Sequence, residues 1–423
     1  MKHVKHLECT LCGSTCEPVS GGITCPQCGE RGILEVVYDY DLLVRTVSKG
    51  DFASKRDFSM WRYSAFLPVE EKEKPETLAV GWTPLYRSEA LEAKTGVGRL
   101  FVKDDGQNPT GSLKDRASAL AVVMASQSGA QTVACASTGN AASSLAGNAA
   151  RGGMRSVIFV PERTPRGKLA QMLMYGATVV KVKGSYEETY RLSAQALSRW
   201  GWYNRNAAVN PYLVEGKKTV SMECCEQMDW EVPDWVAVSV GDGCTVYGVY
   251  KGFFDLYRVG LINRVPRILG IQAEGCCPIT KAFEKGLEVS PEEENTMADS
   301  IAVGVPRNPV KALRAVRGSG GIMVSVSDED IYRAACILAC STGVFAEPAG
   351  AAGLAGVFKM TSLGHLDMRS SVLVMITGNG LKDPDNAMSA APSPISIEPT
   401  MSELDRTLPE DLKGDWRSCV ERG

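Results

Sequence analysis

Lys114, in the stretch NPTGSLKDR, stands between a short apolar run, RLFVKDDG, and a helix-forming one, ASALAVVMAS. At such a strand–loop–helix junction a lysine is a solvated charge, a phosphate ligand or an amine placed for covalent chemistry. Three further loops share one character: small residues, exposed amides and a few hydroxyls. Ser137, Thr138 and Gly139 lead into Asn140 and a helical stretch. A helix N-terminus there offers unpaired N–H groups and a positive dipole end to a carboxylate. Gly241, Asp242, Gly243, Cys244 and Thr245 precede another helical stretch, where successive amides can cradle a phosphate. Thr377, in TGNGLKD, closes a strand.

Glycine turns end many strands, so each loop alone carries little. Together they bring two anion nests and an amine to one crevice. That set fits pyridoxal 5'-phosphate, which needs a lysine for its aldehyde, a nest for its phosphate and partners for its ring oxygen and ring nitrogen. Histidine chemistry is disfavoured, because the only three are His3, His6 and His365, two at the N-terminus and one in a hydrophilic loop. A Ser-His-Asp or Cys-His pair is not available from that placement.

The elements that must position these loops follow from periodicity. From Gly81 onward, short β-branched runs such as QTVACAS, SVIFVPE, TVVKVKG and WVAVSVG alternate with helical stretches. This alternation predicts an α/β fold with parallel sheets flanked by helices, in which ligands bind beyond the carboxyl ends of strands. At 423 residues the chain exceeds one compact core. The first segment stands apart: Cys9-x2-Cys12 and Cys25-x2-Cys28 are separated by twelve residues. Four thiolates so spaced read as a tetrahedral zinc ribbon, the bland alternative being a knuckle without metal. His3 and His6 read as solvated, and EPVSGGIT between the pairs lacks the basic or aromatic cluster that nucleic acid would want.

The net charge of −3, with 44% hydrophobic and 22% charged residues, describes an ordinary soluble enzyme with no basic surplus. MKHVKHLECTLCG lacks an apolar signal core, no apolar run approaches a membrane span, and most of the fourteen cysteines are scattered. A cytoplasmic protein with reduced thiols is expected.

The stretches WRYSAFLPV, GWTPLYR, VKDDGQNPTGSLKDR, CASTGNAASSLA, NPYLVEGKKT, VPDWVAVSVGDG, EPAGAAGLAG and TGNGLKD resemble the threonine synthase family of fold-type II pyridoxal-phosphate enzymes. The likeness covers nearly the whole chain, the cysteine ribbon included. It implies a tryptophan synthase β-like fold: a ribbon at 1–36, a large lobe at 37–133 and 215–383, a small mobile lobe at 134–214 and a C-terminal strap at 384–423. It places the cofactor-bonding lysine at Lys114, the ring-oxygen partner at Asn140, the phosphate nest at Gly241, Asp242, Gly243, Cys244 and Thr245, and the ring-nitrogen partner at Thr377. Ser137, Thr138 and Gly139 would take the substrate carboxylate, with Arg205, Asn206 and Glu347 beside the substrate. Asp115 and Arg116 would be supporting charges. A homodimer acting on a phosphorylated amino acid, O-phospho-L-homoserine, is implied, with no nucleic acid or membrane partner.

The chain departs from the family in the loop before Glu215. Where relatives carry NS-x-NPxR, it reads NRNAAVNPYL, so the serine becomes Ala207 or Ala208 and the arginine becomes Leu213. Arg205, Lys217 and Lys218 are the candidate substitutes. Asp242 replaces the usual asparagine and would either turn away from a phosphate or pair with Lys251. The departure leaves room for a β-replacement or β-elimination on O-phosphoserine, serine or threonine, as in cysteate synthases or ammonia-lyases. A non-catalytic cofactor-binding protein is the alternative from another class.

Overall fold

The computed structural model describes residues 1–18, 24–70, 75–162, 164, 166–391, 393–409 and 412. Three sheets organise it. The N-terminal segment forms an antiparallel sheet of β1 (Val4–Cys9), β2 (Thr15–Cys16) and β3 (Leu34–Tyr38), in the order β2-β1-β3. Leu34, Val36 and Tyr38 alternate inward along β3, the period-two signature of a half-buried strand.

A six-stranded sheet comprises β4 (Leu85–Arg87), β5 (Arg99–Asp104), β10 (Trp235–Ser239), β11 (Arg267–Ala273), β12 (Ile322–Val326) and β13 (Ser371–Ile376). Its order is β12-β11-β10-β13-β5-β4, parallel except for the edge strand β4. A four-stranded parallel sheet, β8-β7-β6-β9, is built from β6 (Thr132–Ala136), β7 (Arg155–Pro161), β8 (Thr178–Val182) and β9 (Tyr203–Asn204). Every residue of β6, β10 and β13 is buried, as strands covered on both faces must be.

The helices Lys114–Gln127 and Leu213–Gln227 lie deep in the molecule, their residues buried from Asp115 to Ala125 and from Leu213 to Cys225. They cross so closely that a Cβ at Gly216 would fall 2.2 Å from the Arg116 carbonyl oxygen, which only glycine avoids. Where they meet β5, the buried Arg116 guanidinium bonds Asp105 at 2.7 and 2.8 Å and Glu223 at 2.6 and 2.8 Å. Lys103 lies 3.0 Å from Glu223. Arg116 therefore holds the scaffold rather than any ligand.

A second buried network fastens the ribbon to the helix Cys244–Arg258. Lys251 donates to the Val36 carbonyl at 3.0 Å, Lys311 to the Leu34 carbonyl at 2.7 Å, and Tyr247 to Glu35. Lys218 spends its charge on Glu215 at 2.5 Å and Asp255 at 2.6 Å, with its ammonium over the Tyr38 ring. The segment from residue 384 on carries the short helices Pro384–Ala390 and Met401–Thr407; its residues 392, 410–411 and 413–423 lie outside the described residues.

Candidate active site

One cavity of about 670 Å³ opens beyond the carboxyl ends of β6, β10 and β13. All the loop residues singled out in the sequence line it: Lys114, Ser137 to Asn140, Arg205, Asn206, Gly241 to Thr245, Glu347 and Thr377. Lys114 is the first residue of its helix. The backbone before it is fixed from two sides. Leu113 N–H donates to the Thr377 carbonyl at 2.9 Å, and Asp115 accepts from Thr110 N–H and Oγ1 at 2.8 Å and from Asn148 at 2.9 Å. Asp115 thus anchors the lysine loop. The Lys114 amine has no hydrogen bond or ion pair among the described residues, and burial, then the Arg205 charge, lower its pKa.

The helix Asn140–Arg151 begins at the cavity, and its N-cap, Gly139, has open space where a Cβ would meet no atom within 4 Å. Ala142 and Ser143 N–H already donate to the Gly139 carbonyl, at 3.0 and 3.3 Å, which leaves the Asn140 and Ala141 amides as the open donors of this end. Asn140 Nδ2 donates to the two Glu347 oxygens at 2.9 and 3.1 Å, and Ser300 Oγ donates to Glu347 at 3.3 Å. Burial pushes the Glu347 carboxyl up. Thr377 Oγ1 lies 3.5 Å from Ser239 Oγ, so two neutral hydroxyls end β13 and β10 side by side. Asn206 Oδ1 accepts from Ala136 N–H at 2.9 Å and leaves its Nδ2 without a partner.

The 241–245 loop runs into the helix Cys244–Arg258 through Gly243, whose φ of 89° is left-handed. Asp242 does not pair with Lys251, which is bound to the ribbon. Its carboxylate accepts instead from Arg307 N–H at 2.6 Å, and its carbonyl from Asn308 N–H at 3.0 Å. Asp242 still lines the cavity, but its carboxylate is tied to the backbone of the Arg307 segment. Burial pushes the Cys244 thiol up to about 11, so it brings no charge. Of the candidate substitutes for the missing arginine, Arg205 and Lys217 line the cavity, whereas Lys218 faces the ribbon side.

The segment between β11 and β12 contributes Ser300 and Arg307 to the wall, two residues that nothing in the sequence singled out. The Arg307 guanidinium lies 3.8 Å from the Tyr190 ring centroid. No glycine loop or anion-binding signature marks that segment in the sequence.

An unpaired amine, a glycine-turned nest at one helix N-terminus and a second open N-terminus around one cavity define a pyridoxal-phosphate site on a doubly wound scaffold. The wall fits that cofactor on all three counts. The comparisons agree. The profile of the family described as "Pyridoxal-phosphate dependent enzyme" matches residues 76–378. The chain is 40% identical to threonine synthase of Methanocaldococcus jannaschii, over 95% of this chain and 99% of that one. It is 38% identical to threonine synthase of Methanosarcina acetivorans, over 94% and 97%. In fold it resembles maize serine racemase, with a TM-score of 0.63 at 23% identity over 73% of this chain and 91% of that one. A threonine deaminase isoform from Solanum lycopersicum gives a TM-score of 0.63 at 19% identity, over 88% and 97%.

The chain is a pyridoxal-phosphate-dependent enzyme of fold type II. Within that class it belongs to the threonine synthase family.

The matched profile starts after the ribbon. There the Cys9, Cys12, Cys25 and Cys28 sulfurs all lie within 4.8 Å of one another, and neither His3 nor His6 joins them. The Cys12 and Cys25 sulfurs are 3.7 Å apart, close to the ~3.8 Å edge of a tetrahedron with Zn–S bonds of about 2.3 Å. Leu11 N–H points at the Cys9 sulfur at 3.4 Å. Among the described residues no disulfide is present, and no helix is long and apolar enough to cross a membrane.

Proposed function

We propose that this chain converts O-phospho-L-homoserine and water to L-threonine and phosphate. The observation that carries the reading is the convergence of the unpaired Lys114 amine with two helix N-termini on one cavity, in a chain 40% identical to a threonine synthase along 95% of its length. Pyridoxal phosphate bonded to Lys114 supplies an electron sink for charge developing at the substrate α- and β-carbons.

The protein supplies the rest. The Thr138 amide, the Ser137 and Thr138 hydroxyls beside Gly139, and the amides of Asn140 and Ala141 that open the helix hold the substrate carboxylate, which orients the Cα–H bond. Lys114 Nζ accepts the Cα proton once free, burial and Arg205 having lowered its pKa toward the range of a working base. Asn140 is held by Glu347 where it can face the ring oxygen. Gly241 to Thr245 hold the cofactor phosphate through amides. Thr377, with Ser239 beside it, meets the ring nitrogen with a neutral hydroxyl, which does not enforce a ring proton and so favours elimination over a long-lived carbanion. Loss of a Cβ proton lets phosphate leave Cγ; water then adds at Cβ and Cγ takes up a proton, giving the hydroxyl and methyl groups of threonine.

The ribbon cysteines hold a structural zinc ion in this reading. The four-stranded unit acts as the smaller, moving lobe, and the enzyme is a cytoplasmic homodimer. Incubating the pyridoxal-phosphate-loaded protein with O-phosphohomoserine tests it: threonine and inorganic phosphate should appear in equal amounts, and neither with Lys114→Ala.

A second reading is favoured by one observation. Leu213, where relatives of the motif place an arginine, is 1% exposed in the core and does not line the cavity, and Ala207 and Ala208 offer no hydroxyl. Phosphate release from O-phosphoserine alone, with replacement at Cβ, would put the shorter substrate in place of the first; keto-acid formation from serine or threonine would make it an ammonia-lyase.

A further inference from the structure

The cavity holds more positive charge than a cofactor with an amide nest requires. Lys217 is 2% exposed, yet its amine has no carboxylate and no hydrogen-bond acceptor among the described residues. Arg205, also 2% exposed, donates through Nε to Ser118 at 3.0 Å and leaves Nη2 with no partner. Other buried cations nearby are matched: Lys218 by Glu215 and Asp255, Arg116 by Asp105 and Glu223. Two unmatched buried cations are unfavourable in the free protein. They are accounted for when an anion enters.

Helix geometry explains how Lys217 comes to be there. It lies four residues after Leu213 in the helix Leu213–Gln227, so the two positions share a face about one turn apart. Leu213 closes into the core, while Lys217 runs along the helix Cys244–Arg258; a Cβ on Gly248 would sit 2.9 Å from its own Cβ. Its amine reaches the cavity beside Arg205 and Lys114. Burial, with those two charges, brings that amine down to about 7 although Cys244 and Asp242 oppose the shift. An arriving anion would restore its charge. The cofactor phosphate already has the amides of the 241–245 loop, where the Asp242 carboxylate is engaged by Arg307 N–H.

We propose that Lys217 and Arg205 form the subsite for the phosphate ester of the substrate. The inference rests on the reading that the substrate carries a phosphate, and it sets which residues recognise it.

The test uses the pyridoxal-phosphate holoenzyme and two ligands, inorganic phosphate and the phosphorylated amino acid. Phosphate binding is followed by its effect on the cofactor absorbance, which needs no turnover. Lys217→Met should weaken inorganic phosphate and raise KM for the phosphorylated substrate by about tenfold or more, the loss of one charge-assisted contact. Apo-protein affinity for pyridoxal phosphate should stay within about threefold. Lys217→Arg should recover part of the phosphate affinity. If Lys217→Met instead costs cofactor affinity and spares inorganic phosphate, Lys217 belongs to the cofactor nest and the proposal falls. It also falls if neither affinity moves. Phosphate binding that needs Lys217 in an enzyme yielding no threonine from O-phosphohomoserine would remove the proposed reaction and keep the subsite. Undiminished threonine formation by Lys217→Met would do the reverse.

Discussion

Gly243→Ala isolates the nest from the rest of the site. Gly243 takes φ of 89°, and an added Cβ would lie 2.5 Å from the Asn308 carbonyl oxygen and 3.0 Å from the Ala312 Cβ. A residue with a side chain pays roughly 1–3 kcal/mol for such a backbone, and the contact with Asn308 must be relieved as well. Asn308 N–H closes the loop onto the Asp242 carbonyl, so relief opens the nest. The relaxed loop then predominates in the apo-protein, and binding has to draw the strained form back. Affinity falls by the fraction still competent, about 5- to 150-fold for roughly 1–3 kcal/mol. The assay titrates apo-protein with pyridoxal phosphate and, separately, with pyridoxal, following the absorbance that marks bonding to Lys114. Affinity for the phosphorylated form should collapse while pyridoxal, which never uses the nest, changes by less than about threefold. Equal losses for both ligands, or none for either, would refute the assignment of the 241–245 loop to the phosphate.

Glu223→Gln leaves Lys103 and Arg116 buried with Asp105 as the remaining carboxylate of the network, and should cost about 3–5 kcal/mol of stability by urea unfolding; a loss under about 1 kcal/mol would show the network to be dispensable. Burial pushes the Glu35 carboxyl up, but Lys251, Lys311, Tyr247 and Arg314 outweigh it and hold it at about 2. A depressed carboxyl contributes stability above its unfolded value near 4.5, and the contribution is lost as pH falls toward 2. Glu35→Gln should therefore lower the melting temperature at pH 6 and bring it close to the unmutated protein at pH 2. Chelation should release one zinc per chain, expose four reactive thiols and lower the melting temperature, since metal-binding free energy in a ribbon is folding free energy; thiol counts unchanged by chelator would argue for a metal-free knuckle.

The scaffold was legible because parallel strands announce themselves. WVAVS and SVLVMI are buried on both faces and read as continuous apolar runs, and the glycine and hydroxyl loops after them gained weight by recurring at several strand ends. Lys114 was legible for the same reason: its neighbours define a strand end and a helix start. Charge pairing was not legible. Asp242 reads as a carboxylate set against a phosphate, but its partner is a backbone amide 65 positions later, Arg307 N–H, in a segment with no signature. Lys251 reads as that aspartate's counter-ion and instead binds the ribbon's β3 strand.

The lysine pair at 217 and 218 shows why local sequence cannot supply that information. Side by side, the two lysines read as equal candidates for the place of the missing arginine, and neither is more than 2% exposed. Consecutive helix positions point about 100° apart, so the two ammonium groups reach different surroundings. Lys218 meets Glu215, Asp255 and the Tyr38 ring, and its charge is consumed in joining the ribbon to the central helices. Lys217 lines the cavity with Arg205 and Lys114, and no carboxylate among the described residues pairs with its amine. The same residue type thus serves as scaffold at one position and as an anion receptor at the next, the difference lying in which carboxylates the tertiary fold brings near. A buried cation that the fold leaves unmatched is where a ligand's charge is wanted.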